Sequence, residues 1–140
     1  RTASAHFSWV ESVDRLAIAE RLSATRDAQQ GPLAVCVQVN ISAETTKSGI
    51  APADALALAR DVASLPGLAL RGFMGIAAPT AEIARQRAQF RRLREILAAA
   101  RAEGLMLDTL SMGMSADLEA AIAEGATLVR VGSALFGPRA

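Results

Sequence analysis

LAVCVQVNI, residues 33–41, is nearly unbroken in apolar and β-branched residues. A strand buried on one face alternates apolar with polar residues, whereas one buried on both faces does not. The stretch therefore predicts a doubly buried strand, and such strands belong to parallel sheets covered by helices. Reading outward, Gly31-Pro32 ends a helical pattern over residues 14–29, with Leu16, Ala19 and Leu22 on one face. Residues 7–13 precede that helix as a short strand. On the other side comes a polar loop, residues 42–50. A helix over residues 52–64 opens near Pro52 and carries Leu58, Val62 and Leu65 on one side. Pro66-Gly67 ends it, and LALRGFMGI, residues 68–76, is the next strand. The longest helix spans residues 80–103, with Phe90, Leu93, Leu97 and Ala100 as its buried stripe. Arg85, Arg91, Arg92 and Arg94 fall on its solvent side, and Gly104 caps it. A strand over 108–112, a helix over 116–124 and a last strand over 128–131 complete the chain.

This β-α alternation predicts one α/β domain over residues 1–140, with parallel strands and crossover helices. Five strands suit an open doubly wound sheet or part of an eight-stranded barrel. The G-x-G-x-x-G turn of a dinucleotide-binding sheet is absent. Polar residues instead follow several strand ends: Asn40, Ser42, Ser111, Ser115 and Ser133. That arrangement favours a barrel, whose active face is built from the loops after the strands.

Composition narrows the classes of function. A net charge of +1 is too balanced for a nucleic-acid protein, and 51% hydrophobic residues indicate a large core. No apolar run reaches the roughly 18 residues of a membrane span. The single cysteine, Cys36, forms no internal disulfide, which suits a reducing cytoplasm. Mid-strand and among apolar neighbours, it reads as a core thiol and not as a nucleophile. His6 has no partner at metal-ligand spacing. Lys47, the only lysine, sits in the polar loop ETTKSG and reads as a solvated charge.

The C-terminal stretch SMGMSADLEAAIAEGATLVRVGSALFG carries the densest chemistry. Gly132-Ser133 follows LVRV, and its amides and hydroxyl could hold an anion. Barrel phosphate sites often lie after the last two strands. Close packing at a barrel rim explains the same glycines and serines, and spacing leaves both readings open. Ser115 is also a natural N-cap for the helix over 116–124. Asp117 and Glu119 in that first turn disfavour an anion there, which moves the expected contacts to Gly132, Ser133 and the Ser115 hydroxyl. Arg130 within an apolar strand needs a partner, either a structural carboxylate or a ligand at the barrel mouth.

Together these segments resemble the pyridoxal 5′-phosphate homeostasis protein family. The C-terminal stretch matches that family's signature, and VQVNISAETTKSGI matches its mid-barrel segment. LRGFMGIAAP and FSWVESVDRLAIAERL resemble further strand ends, so the resemblance covers essentially the whole chain. It implies a partial (β/α)8 TIM-type barrel of the alanine racemase N-terminal-domain type, with about five of eight βα units. It implies a carrier or regulator of cytoplasmic pyridoxal 5′-phosphate, without catalytic turnover, that serves pyridoxal-phosphate-dependent apoenzymes. By the resemblance, Ser115, Gly132 and Ser133 contact the phosphate, with Ser111 and Met112 nearby. Asn40 lines the pocket, and Arg130 faces the pyridine nitrogen. An arginine there disfavours ring protonation and makes the ring a weaker electron sink. The family's Schiff-base lysine lies on an early strand with no counterpart here, and Lys47 matches a different lysine. The chain is thus expected to be the C-terminal part of a longer one, its first strands missing. Glu11 stands where the family often has histidine. Three rival readings remain: a racemase- or decarboxylase-type enzyme, a sugar-phosphate barrel enzyme and an interaction scaffold. The first would need a tyrosine acid/base, and the chain has none.

Overall fold

The computed structural model describes residues 2–138, so the end of the C-terminal signature at Arg139 lies outside the described residues. The strands are β1 (Trp9–Val13), β2 (Leu33–Val39), β3 (Leu68–Gly75) and β4 (Thr109–Met112). They form one parallel sheet in the order β1-β2-β3-β4. The helices are α1 (Thr2–His6), α2 (Leu16–Thr25), α3 (Ala55–Ala63), α4 (Ile83–Ala102), α5 (Leu118–Ala123) and α6 (Ser133–Phe136).

Every residue of β2 is buried, as its unbroken apolar run predicts. Its two faces nonetheless differ. Val35, Val37 and Val39 join one core with Leu58 and Val62 of α3 and Phe90, Leu93 and Leu97 of α4. Ala34, Cys36 and Gln38 alternate with them and face the opposite side, the concave side of a partial barrel. Register continues this inner face as rows. Cys36 aligns with Gly72 and Thr109, and Gln38 with Met74 and Ser111. The inner face is thus polar at Gln38, Thr109 and Ser111, and the outer face is almost purely apolar.

Among the described residues four strands form where the sequence predicts five. Residues 128–131 run beside β4 but make only the isolated bridge Ser111–Leu128. The cause is local. Met112 N–H donates to Leu128 and Leu128 N–H to Leu110, as in a parallel ladder, but Arg130 N–H donates to Gly113 instead of Met112. Gly113 has φ of 102° and shifts the register by one residue. A Cβ there would stand 2.6 Å from Ala121 Cβ, so only glycine makes this turn.

The helix boundaries also differ from the sequence reading. The expected strand over 7–13 starts at Trp9, because α1 precedes it. The helix expected over 14–29 covers Leu16–Thr25 and is followed by a 3-10 turn at Ala28–Gln30. Arg26 closes that corner by donating to the carbonyls of Ser4, Phe7, Gln30 and Gly31. Gly104, at φ 96°, ends α4 as its sequence position predicts.

Candidate functional site

Strand β4 brings Ser111 to the inner face, where it is fully buried and its hydroxyl has no hydrogen-bond partner. Arg130 reaches the end of β3, where its Nη2 donates to the Gly75 carbonyl at 3.1 Å. Its Nε is buried with no partner. No carboxylate pairs with Arg130 among the described residues. Buried polar atoms are nearly always satisfied, so the Ser111 hydroxyl and the Arg130 Nε–H each leave a hydrogen bond unmade. The residues present therefore fit a group with hydrogen-bonding atoms at this point.

Ser115, Gly132 and Ser133 also come together. The Ser115 hydroxyl accepts from the backbone N–H of Gly132 at 3.3 Å and of Ala134 at 3.0 Å. This corrects the expected role of Ser115 as N-cap of the helix over 116–124. α5 starts at Leu118, and Asp117 closes its approach by accepting from the Met114 N–H at 2.7 Å. Ser115 instead ties itself to the start of α6, leaving its own O–H free to donate. Around Gly132 the space is open, because a Cβ built there would meet nothing within 4 Å. Ser115 and the exposed start of α6 thus meet after the strand ends, with open space at Gly132.

Asn40 and Met112 are placed differently. The Asn40 side chain folds into its own loop. Its Nδ2 donates to the Glu44 carbonyl at 2.7 Å, and its Oδ1 accepts from the Ser42 N–H and hydroxyl. It shapes the loop after β2. The Met112 side chain is fully buried in the core between sheet and helices, so only its backbone borders the site.

Two features escape sequence reading. The Gly75 carbonyl anchors Arg130 across 55 residues of chain, and no local pattern signals that contact. Glu11 is the second: its Oε1 is buried and unpaired. Its strand period was legible, but its burial depends on how far the sheet curls.

The other candidate groups lie apart from the site. Lys47 is exposed, 3.9 Å from Glu44 in the loop after β2. Cys36 is buried on the inner face, where burial, then the nearby Glu11 carboxylate, push its thiol up to about 12. No cluster of metal-ligating side chains occurs among the described residues.

Residues 2–140 match the family model described as alanine racemase, N-terminal domain. The pyridoxal phosphate homeostasis protein of Pseudomonas aeruginosa is 61% identical over 139 residues, covering 99% of this chain and 59% of the relative. That of Escherichia coli K12 is 48% identical, with 99% and 59% covered. The chain thus spans about three fifths of the length of these curated relatives. Among solved structures, PipY of Synechococcus elongatus with pyridoxal phosphate bound superposes at a TM-score of 0.84 and 39% identity. That superposition covers 96% of this chain and 63% of PipY. An alanine racemase from Clostridium difficile shares the fold, with a TM-score of 0.76 at 16% identity, 94% of this chain and 34% of the racemase being covered.

Proposed function

Because the chain belongs to the alanine racemase N-terminal domain family, we propose that it binds pyridoxal 5′-phosphate as part of a cytoplasmic carrier or regulator of that cofactor. The reading rests on one observation above all: Ser111 Oγ and Arg130 Nε are both buried without a hydrogen-bond partner. A ring nitrogen accepts from a guanidinium, and a phosphate accepts from backbone amides and hydroxyls. The two halves of the site match the two ends of such a molecule.

Each residue then has a role. Gly132 leaves room for the phosphate, the Ser133 N–H and hydroxyl hold it, and the Ser115 hydroxyl donates to it. Arg130, pinned by Gly75, presents its N–H to the ring nitrogen. Ser111 fills the space beneath, Met112 fixes the backbone, and Asn40 holds the neighbouring loop. When bound, the cofactor supplies an electron sink, and an arginine at its nitrogen weakens that sink. Carbanion chemistry is then poorly supported, which favours a carrier over a racemase or decarboxylase. Its recipients would be pyridoxal-phosphate-dependent apoenzymes. Lys47, exposed and in the wrong loop, is not the covalent anchor.

Parallel thermal shifts with pyridoxal phosphate and a sugar phosphate test this. Pyridoxal phosphate should stabilise the protein and lose that effect in Arg130→Ala. Equal stabilisation by a sugar phosphate, or an unchanged effect in Arg130→Ala, would defeat the assignment. Measurable amino-acid racemisation would restore the enzyme reading.

A further inference from the structure

Beside α4, between the loops that follow β2 and β3, lies a cleft of about 370 Å³ made wholly of described residues. Ile41, Ala78, Pro79 and Ala88 give it an apolar lining, and the volume falls in the range of small-molecule sites. Arg85 and Arg92 also line it, spaced two helical turns apart. Glu82 pairs with Arg85 at 2.9 Å, whereas Arg92 has no ion-pair partner among the described residues. One wall is tied to α4. Gln89 receives the Ala78 N–H at 2.7 Å and donates back to the Ala78 carbonyl at 3.3 Å. On the opposite wall Ala43 sits at φ 61°, a left-handed conformation that costs a non-glycine residue about 1–2 kcal/mol. Strain of this kind gathers at ligand-holding loops.

We propose that this cleft is a second binding site, for a small organic monocarboxylate. The carboxylate would take the uncompensated Arg92 guanidinium in a two-pronged hydrogen bond, and the aliphatic body would fill the apolar well. The carbon-rich lining favours a carboxylate on an apolar body over a bare phosphate. Ser42 borders the cleft and donates to Asn40 at 2.6 Å, so an occupant bears on the loop after β2. The site stands apart from the cofactor reading and is tested without it.

The test titrates butyrate, and separately inorganic phosphate, while following the backbone amide signals of Ala43 and Ala88 by NMR. Butyrate should give saturable shifts. Arg92→Gln should weaken them roughly tenfold or more. Ala88→Leu, which fills the well and keeps both arginines, should abolish them. Arg21→Gln, on the exposed face of α2, should leave them unchanged. Four results would overturn the proposal: no saturable shift, tighter binding of phosphate than of butyrate, undiminished binding in Ala88→Leu, or an equal loss in Arg21→Gln and Arg92→Gln.

Discussion

Gly132 stands in open space, with nothing within 4 Å of where a Cβ would be. Its φ of −120° lies outside the left-handed region that favours glycine. A side chain there meets no neighbour in the fold and would occupy the space proposed for the phosphate. Gly132→Val should therefore shift the melting temperature by no more than about 2 °C, as surface changes away from special features do. Its affinity for pyridoxal phosphate should fall about tenfold or more. Calorimetric titration beside a thermal melt checks both numbers, and a large loss of stability would make the glycine structural. Cys36 gives a second residue-scale outcome. With its thiol pushed up to about 12, it should ignore Ellman's reagent in the folded protein and react at once after denaturation. Ser115 shows what single residues conceal. A serine before a helical pattern reads as that helix's cap, yet its hydroxyl bonds amides 17 and 19 residues away. The partner was set by the chain's return path, which no local spacing encodes.

At the scale of elements, β3 and β4 pair as closely as they do because Gly72 has no side chain. A Cβ at that position would lie 1.8 Å from the Thr109 carbonyl oxygen. Gly72→Ala should cost about 3 kcal/mol or more, or prevent folding, and denaturant melts would measure it. α4 and α5 are joined by a different device. Glu124, at the end of α5, is fully buried beneath Arg87 at 2.7 Å, Arg94 at 3.0 Å and Arg91 at 3.4 Å. The hydrogen bond from Arg87, with the neighbouring guanidiniums, holds its carboxyl below the ordinary value of 4.5. A lowered folded pKa stabilises at pH above the unfolded value, and the contribution is lost as pH falls through the folded one. The three arginines are each about half exposed, so water recovers part of what Glu124→Gln removes. The expected loss is about 1–3 kcal/mol near neutral pH, shrinking to nothing in acid. Urea melts of both proteins from neutral to acid pH check this, and a difference that persists in acid would contradict it. The sequence placed most of these elements because helical and strand periods differ so plainly. It predicted a fifth strand over 128–131 because the slip at Gly113 is a backbone angle and not a pattern of hydrophobicity.

At the scale of the whole molecule, the unbroken run in β2 and the β-α alternation were enough to predict a parallel, helix-covered sheet. The curvature that makes one face concave was not legible, because it arises from twist and close strand approach. The site divides the same way. Its residue types were readable at the strand ends, whereas the anchoring of Arg130 by Gly75 and the retreat of Met112 into the core required the packed structure. The proposed site offers a guanidinium and hydroxyls at the strand ends, and the one lysine is exposed in the loop after β2. Borohydride reduction of the protein with pyridoxal phosphate, followed by intact mass, tests that division most directly. The account predicts reversible binding that depends on Arg130, with no cofactor mass trapped on the chain. Stoichiometric trapping at Lys47 would contradict it.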